Sequence, residues 1–188
     1  MAESLLVDVR RADSTIAVEA RYAGTSNFTG HPLPGYEANR AFLRREAAAA
    51  LGRVQRRLHP DRLGLKVFDG YRPIRATLAM MEWTKRTGQE DLIADGYIAV
   101  RSRHNLGLAV DLTLVRLGDG QELAMGTPFD EFSAAAHTAN ATGPVQANRR
   151  RLVAAMEAEG FRNYAQEWWH FSFEVPGEPL AFDVPIPR

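Results

Sequence analysis

The most informative segment of the chain is SRHNLGLAVD at residues 102–111, in which His104 and Asp111 lie seven residues apart. This spacing is a poor fit to two neighbouring ligands on one strand, where alternate residues share a face. A histidine on a loop and an aspartate on the following strand suit it better, and Gly107 lets the backbone between them bend. The segment therefore predicts a loop and a strand that carry two candidate metal ligands.

A second segment, EWWH at residues 167–170, adds a carboxylate and another histidine. In a regular strand Glu167 and His170 point to opposite faces, so a bend at Glu167 is needed to bring both to one centre. With such a bend, His104, Asp111 and His170 supply three nitrogen and oxygen ligands. Three protein ligands with an open fourth position are typical of catalytic zinc rather than structural zinc.

Two further side chains have the chemistry that a metal-activated water requires. Glu167, held near that water, can take its proton and pass it to a leaving amine. Arg72 lies in a Gly-Tyr-Arg-Pro turn after an expected strand, and an arginine aimed at the cleft stabilises the oxyanion of a tetrahedral intermediate. Taken singly, these residues also fit plain roles, such as a surface arginine or a solvated pair beside two tryptophans. Their joint occurrence favours a catalytic site.

The composition limits how such a site can be built. The chain has 188 residues, 45% of them apolar, and no cysteine. This length and composition predict one domain, residues 1–188. The absence of cysteine excludes disulfides, thiolate zinc sites, iron–sulfur clusters and a cysteine nucleophile. Any metal site must therefore consist of histidine and carboxylate.

Charge and hydropathy bear on the partners of the protein. The 23 Lys and Arg residues balance 23 Asp and Glu residues, and this zero net charge argues against a nucleic-acid partner bound by bulk charge. The longest apolar stretches are far shorter than the roughly 20 residues that span a bilayer, so no membrane partner is expected. The first residues carry no apolar segment of signal-peptide length, which predicts a cytoplasmic location. The oligomeric state is left open.

Helical and extended patterns follow one another without a strand–helix–strand rhythm, which predicts an α+β fold. The expected elements are a helix at 37–58, a strand at 65–68, a helix at 74–88, a strand at 108–117, a helix at 144–159 and a strand at 167–175. The consecutive arginines at 149–151 are expected on a solvated helix face. Trp168 and Trp169 are expected in the core or in the wall of the cleft.

Taken together, the motifs resemble those of a known enzyme family. Ser-x-His-x-x-Gly-x-Ala-x-Asp at 102–111, followed by Glu-Trp-Trp-His at 167–170, is similar to the VanX-type zinc D-alanyl-D-alanine dipeptidases, which share a fold with hedgehog signalling domains. Further matching segments extend the resemblance over about residues 20–185: NFTG at 27–30, GYE at 35–37, DGYRP at 69–73 and MGTPFD at 125–130. The resemblance implies a single α+β domain with a small central antiparallel sheet flanked by helices.

The resemblance also implies a cofactor and a catalytic role for each motif residue. One zinc ion per chain would be held by His104, Asp111 and His170. Glu167 would be the general base and acid, and Arg72 would polarise the scissile carbonyl and stabilise the oxyanion.

Asp130, Ser102 and Tyr22 lie at the positions where the family recognises the free amino terminus of its substrate. An anion at Asp130 would pair with the substrate ammonium, and the two hydroxyl groups would add hydrogen bonds. A longer peptide has an amide and extra atoms there, which would leave Asp130 buried and unpaired. From its own flanks, Asp130 fits a turn aspartate equally well. The region 85–91 looks shorter than in longer members of the family, so the resemblance does not define the rim of the pocket, whereas the metal site is unaffected.

The resulting expectation is a zinc enzyme whose small-molecule partner is the dipeptide D-Ala-D-Ala, which it hydrolyses to two D-alanines. Such an activity would serve glycopeptide resistance or D-alanine salvage, and the sequence leaves both open. One alternative is a D,D-carboxypeptidase or L,D-endopeptidase acting on peptidoglycan stem peptides. Another is a non-catalytic zinc-binding or peptide-binding module, which would be expected to lack Glu167 or Arg72.

Overall fold

The computed structural model describes residues 5–187, and a five-stranded sheet forms its centre. The strands along the chain are β1 (Leu6–Asp8), β2 (Ala17–Val18), β3 (Phe42–Arg44), β4 (Leu63–Asp69), β5 (Ala109–Arg116), β6 (Phe161–Tyr164) and β7 (Glu167–Phe173). The α-helices are α1 (Val9–Ala12), α2 (Arg45–Leu58), α3 (Ile74–Thr87), α4 (Asp91–Ala94) and α5 (Gly143–Glu157). Short 3-10 turns lie at Arg21–Ala23, His59–Asp61, Arg103–Leu106 and Ala134–Ala136.

The central sheet has the spatial order β2–β4–β5–β7–β6. The strands β4, β5, β7 and β6 pair in antiparallel fashion, and the α+β class is confirmed. The edge strand β2 differs from the expected pattern because it runs parallel to β4. A parallel pair needs a long crossover connection, and the chain between these strands supplies one that contains β3 and α2.

The first predicted helix begins later than expected, at Arg45, and the prediction is wrong for the residues before it. Phe42–Arg44 instead pair with β1. Their backbone is also bound from two other sides, because Tyr71 N–H donates to the Phe42 carbonyl at 2.6 Å and Arg44 N–H donates to the Gly107 carbonyl at 2.8 Å. These tertiary hydrogen bonds outweigh the weak intrinsic preference of the segment for a helix. Through the hydrogen bond between Phe42 and Tyr71, the strand β3 stabilises the turn that follows β4.

The other predicted elements agree with the structure to within two residues at each end. These are α3, α5, β4, β5 and β7, and deviations of this size are normal at the ends of helices and strands. Trp168 and Trp169 are both buried, as expected. The indole N–H of Trp168 donates to Thr127 Oγ1 at 2.8 Å, while Trp169 lines a cleft at one end of the sheet.

The core fixes how the central strands lie against one another. Leu51 and Val54 of α2 are fully buried, as are Val67 of β4 and Leu112 of β5. Burying one such side chain contributes about 1.5–3 kcal/mol, so slipping a strand by one residue would expose a large apolar surface. The polar residues at the strand ends are therefore held in a fixed register.

None of the helices within residues 5–187 has the length and apolar character needed to cross a membrane. The assignment of residues 1–188 to one domain stays a prediction from length and composition.

The arginines of α5 have two different environments. Arg149 is only 1% exposed, so the expected solvated face is wrong for this residue, whereas its two following neighbours are exposed. Burial is possible because its guanidinium donates to the carbonyls of Met125, Ala135 and His137 at 2.8, 3.0 and 2.7 Å. All three carbonyls belong to the loop between β5 and α5. Arg149 therefore ties this loop to the helix.

We expect Arg149→Met to lower the free energy of unfolding by about 3 kcal/mol, because one buried and two partly buried hydrogen bonds from the guanidinium to loop carbonyls are lost. Chemical denaturation measures the change. Arg150→Met is the matched control, since this arginine is exposed on the same helix, and its effect should stay within about 0.5 kcal/mol. Equal effects of the two substitutions would contradict a structural role for Arg149.

Candidate metal centre and substrate cleft

The three predicted metal ligands come together at one end of the central sheet. One ligand atom from each of His104, Asp111 and His170 lies within 4.8 Å of the other two. His170 Nδ1 is 2.8 Å from Asp111 Oδ1 and 3.2 Å from His104 Nε2. His104 and Asp111 are buried and His170 is partly exposed, so the cluster is open on the side of His170. This group could hold a metal ion.

His104 lies on the loop that the sequence predicts, within the 3-10 turn before β5. The side chain of Ser102 caps this turn, because its Oγ accepts from His104 N–H at 3.2 Å. Gly107 follows with a φ of 69°, and a Cβ there would lie 2.7 Å from a methyl group of Leu6. Glycine is therefore required where the chain turns into β5.

A hydrogen bond on the side away from the cluster fixes the orientation of the His104 ring. Its Nδ1 lies 2.7 Å from the Gly70 carbonyl, which can only accept, so Nδ1 carries the proton. The lone pair of Nε2 then faces Asp111 and His170. Such a hydrogen bond to the nitrogen away from the metal is typical of metal-binding histidines.

Asp111 and His170 are cross-strand partners in the β5–β7 pair. Burial alone would raise the pKa of Asp111, but His104 and His170 outweigh it and hold that pKa well below its ordinary value. Asp111 is therefore ionised at neutral pH, which is the form that binds a metal.

Glu167 faces the same cluster because β7 is irregular next to it. In the β6–β7 pair, Asn163 lies opposite Phe171, whereas the next residue, Tyr164, lies opposite Glu167. β7 therefore has three extra residues between these two pairs. The irregularity places Glu167 Oε2 at 3.9 Å from His170 Nδ1. The bend that the sequence required is thus present. Burial first, and then repulsion from Asp111, raises the pKa of Glu167 well above its ordinary value.

Arg72 is buried, and contacts with its neighbours hold its guanidinium in place. Its Nε and Nη2 donate to Asp69 Oδ2 at 3.0 and 2.8 Å, and its guanidinium lies 5.0 Å from the centre of the Tyr22 ring. Burial alone would lower the pKa of Arg72, but the Asp69 carboxylate outweighs it and raises that pKa. The same Nη2 is 3.8 Å from Asp111 Oδ2, so the arginine faces the cluster as a permanent cation.

Asp130 lines the same cleft in a left-handed backbone conformation, with a φ of 63°. Its Oδ1 accepts from the Tyr22 hydroxyl at 3.0 Å and its Oδ2 accepts from Phe28 N–H at 3.4 Å. Burial, followed by repulsion from Asp111, raises the pKa of Asp130 to about 7. Within residues 5–187 no cation forms an ion pair with this carboxylate, which leaves it suited to a positively charged ligand.

A cleft of about 300 Å³ joins these groups. All eight predicted site residues line it, namely Tyr22, Arg72, Ser102, His104, Asp111, Asp130, Glu167 and His170. Phe28, Tyr97 and Phe132 add an aromatic wall on one side. Ser102 reaches the cleft, yet its hydroxyl oxygen is already engaged as the cap of the His104 turn.

Sequence reasoning assigned no role to two residues behind the site, Asp69 and Tyr36. Asp69 is the partner of Arg72, and Tyr36 donates its hydroxyl hydrogen to Asp69 Oδ1 at 2.6 Å. Burial, and next the Asp69 carboxylate, raises the pKa of Tyr36 well above its ordinary value, so the hydroxyl stays protonated and donates. Asp69 lies in DGYRP and Tyr36 in GYE, two of the segments that resemble the family, but no local sequence pattern indicates that the two side chains are in contact.

Two histidines and one aspartate that could hold a metal, with Glu167 in the same cleft, are the arrangement of a metal-dependent hydrolase. The chain belongs to the family described as D-ala-D-ala dipeptidase, which its sequence matches over residues 2–185. The family resemblance drawn from the motifs is therefore confirmed, and the chain is an enzyme of the metallopeptidase class.

Relatives named D-alanyl-D-alanine dipeptidase cover most of the chain. The protein from Streptomyces coelicolor is 39% identical, over 92% of this chain and 94% of its own length. The protein from Enterococcus faecium is 38% identical, over 89% of this chain and 91% of its own length. The protein from Escherichia coli is 33% identical, over 95% of this chain and 90% of its own length.

Two solved structures are also similar. The D,D-pentapeptidase VanY, in complex with Zn(II), is 21% identical over 85% of this chain and 87% of its own, with a TM-score of 0.47. The D,D-dipeptidase VanXYg, in complex with a D-Ala-D-Ala phosphinate analogue, is 18% identical over 90% of this chain and 66% of its own, with a TM-score of 0.46.

We expect Asp130 to destabilise the metal-free protein as the pH rises. Its pKa of about 7 in the folded chain exceeds its ordinary value of 3.8, so the folded form retains a proton that the unfolded chain has already released. The contribution to stability is therefore present below the unfolded pKa and lost as the pH rises through the folded pKa. Denaturation of the metal-free protein at about pH 5 and about pH 8 measures this fall.

Asp130→Asn should reduce the fall in stability between these two pH values. Asp119→Asn, at an exposed turn after β5, is the control and should leave the fall unchanged. A fall of the same size in wild type and Asp130→Asn would contradict the assignment of this titration to Asp130.

Proposed function

We propose that this chain hydrolyses the free dipeptide D-Ala-D-Ala to two D-alanines and uses one zinc ion per chain. The observation that carries the proposal is the arrangement within one cleft: Glu167 and Arg72 both lie close to the His–Asp–His cluster, at 3.9 and 3.8 Å, and Asp130 lines the same cleft. Membership of the D-ala-D-ala dipeptidase family supports the substrate.

His104, Asp111 and His170 fit zinc by the chemistry of their donors. Two imidazole nitrogens and one carboxylate oxygen form a set that zinc binds at catalytic sites, and the chain offers no thiolate. The hydrogen bond from His104 Nδ1 to the Gly70 carbonyl leaves Nε2 free to bind. When bound, zinc would lower the pKa of a coordinated water and polarise a substrate carbonyl.

Glu167 is the proposed general base and acid. Its Oε2 lies 3.9 Å from His170 Nδ1, so the carboxylate is placed to take a proton from a water at the cluster. The protonated carboxyl would then deliver that proton to the nitrogen of the leaving D-alanine. One carboxyl group thus serves both halves of the hydrolysis.

Arg72 is the proposed electrostatic partner of the scissile carbonyl. Because Asp69 and the Tyr22 ring hold its guanidinium, the charge is in place before the reaction and needs no reorganisation. Charge that develops on the carbonyl oxygen would be stabilised by this cation. Removing one donor of this kind typically costs about 2.7–4 kcal/mol of barrier.

Asp130 is the proposed receptor for the substrate ammonium, with Tyr22 as its hydrogen-bonding neighbour and Ser102 on the adjoining wall. The buried carboxylate has a high pKa on its own, and an ammonium ion would supply the missing positive charge. An acylated amino terminus supplies no charge and brings additional atoms towards the wall formed by Phe28 and Phe132. This end of the cleft therefore favours a free dipeptide over a longer chain.

The same features weigh against the alternatives. A carboxypeptidase or endopeptidase for stem peptides needs room beyond the amino-terminal residue, where Asp130 and the aromatic wall lie. A non-catalytic binding module has no use for Glu167 and Arg72 beside the cluster. Cleavage of free D-Ala-D-Ala would deplete a cell-wall precursor or return D-alanine from wall turnover, and the chemistry of the site serves either role. A cytoplasmic location and the absence of nucleic-acid and membrane partners stay predictions from the sequence.

The function is tested by measuring D-alanine release from free D-Ala-D-Ala, from N-acetyl-D-Ala-D-Ala and from a stem pentapeptide. We expect rapid cleavage of the free dipeptide and little of the other two, because only the free dipeptide has an ammonium for Asp130. Activity should disappear with a zinc chelator and return with added zinc. Equal or better cleavage of the blocked substrates would overturn the dipeptidase assignment.

Glu167→Gln should lower kcat by about 10²–10⁴-fold, the usual contribution of general acid–base catalysis, and should leave bound zinc at one equivalent. Elemental analysis and steady-state kinetics measure the two quantities. Glu174→Gln, an exposed glutamate just beyond β7, is the control and should retain wild-type kcat. Loss of zinc from Glu167→Gln would make Glu167 a ligand and contradict its role as base.

A further inference from the structure

A line of buried contacts leads from Arg72 away from the cleft and ends at Tyr36. The guanidinium is bound by Asp69, and Asp69 is bound in turn by the Tyr36 hydroxyl. Asp69 is 1% exposed and Tyr36 is 7% exposed. Neither residue lines the cleft, so neither touches a bound dipeptide. Any effect of Tyr36 on the reaction must therefore pass through other residues.

The two oxygens of Asp69 have separate partners. Oδ2 accepts both hydrogen bonds from Arg72, whereas Oδ1 accepts one, from Tyr36, within the described part of the chain. At 2.6 Å this bond is short, as is usual for a hydrogen bond to a carboxylate that is paired with an arginine. Without the hydroxyl, one buried carboxylate oxygen would lose its donor. The carboxylate could then rotate about its last torsion and carry the guanidinium with it.

Tyr36 also contacts the second neighbour of the guanidinium. Its ring meets the Tyr22 ring edge-on at 5.8 Å between centres, and the Tyr22 ring lies 5.0 Å below the Arg72 guanidinium. Two of the groups that hold the guanidinium, Asp69 and the Tyr22 ring, are therefore in contact with Tyr36, while Met80 Sδ accepts from Arg72 Nη1 at 3.3 Å. This double contact distinguishes Tyr36 from the other buried tyrosines described in the chain.

The backbone around Tyr36 is itself anchored. Tyr36 forms a parallel bridge with Ile186, the Ile186 N–H donates to the Gly35 carbonyl at 2.8 Å, and Glu37 N–H donates to the Ile186 carbonyl at 3.2 Å. The C-terminal segment thus fixes the position from which the hydroxyl reaches Asp69.

We propose that Tyr36 is a positioning residue for Arg72, acting through Asp69. The inference rests on the proposed function, because it assumes that Arg72 stabilises charge during peptide hydrolysis. Small displacements of a group that must meet a developing charge reduce the rate strongly, while substrate binding through Asp130 is left intact. Loss of the Tyr36 hydroxyl should therefore lower kcat far more than it changes KM.

The test compares Tyr36→Phe with Tyr71→Phe in D-Ala-D-Ala hydrolysis. Tyr71 is the matched control because it is buried, lies next to Arg72 in sequence, and uses its hydroxyl to bind Val184, in the segment that anchors Tyr36, rather than Asp69. It therefore separates loosening of that segment from loss of the hydrogen bond to Asp69. We expect Tyr36→Phe to lower kcat about tenfold, equivalent to about 1.4 kcal/mol of barrier, with KM within about twofold of wild type. Tyr71→Phe should keep kcat within about twofold. Bound zinc should be unchanged in both variants.

A double-mutant cycle tests the route through Arg72. In an Arg72→Ala background, Tyr36→Phe should cause no further loss of kcat, because the group that it positions is gone. Independent, additive losses would overturn the inference. So would an equal loss of kcat in Tyr36→Phe and Tyr71→Phe, since that outcome indicates a general structural defect.

The failure of this inference can be told apart from failure of the proposed function. If wild-type protein loaded with zinc releases no D-alanine, the proposed function is overturned and this inference with it. If wild type is active and Tyr36→Phe retains its kcat, the inference alone is overturned. Should Tyr36→Phe not fold, Asp69→Asn tests the same line of contacts and should lower kcat at least tenfold with KM within about twofold.

Discussion

The register between the ends of three neighbouring strands is the constraint on which the site depends. Asp69 of β4 lies opposite Asp111 of β5, and Asp111 lies opposite His170 of β7. An irregularity in β4 next to Asp69 and another in β7 next to Glu167 adjust which side chains face the cleft. The apolar core between α2 and the sheet holds this register, so packing far from the chemistry fixes the distances within it.

The second constraint is electrostatic. Asp111, Asp130 and Glu167 bring three carboxylates into one buried cleft, and burial together with mutual repulsion raises the pKa of the latter two. A divalent metal beside Asp111 and a substrate ammonium beside Asp130 would relieve this repulsion from two sides, while Arg72 supplies a permanent cation. Although the net charge of the chain is zero, negative charge is therefore concentrated in the cleft. The proposed zinc ion and substrate ammonium would complete the charge balance of this site.

The sequence predicted the parts of the site that lie in compact motifs and missed those that depend on distant segments meeting. His104 and Asp111 share one segment, so a loop and a strand were enough to place them. Asp69 and Tyr36 lie in separate segments, and their contact exists because the chain folds between them. Arg149 looked like a surface residue among arginines, because its partners are carbonyls of a loop that carries no local signal. The segment 42–44 became a strand through hydrogen bonds from elsewhere in the chain.

In the proposed holoenzyme, His104, Asp111 and His170 bind one zinc ion while Glu167 stays beside it. A crystal structure of the zinc-loaded protein, with anomalous diffraction measured at the zinc edge, tests this most directly. We expect a single anomalous peak bonded to His104 Nε2, an Asp111 carboxylate oxygen and His170 Nδ1, with no bond to Glu167. A peak elsewhere in the molecule, or one ligated by Glu167, would contradict this expectation.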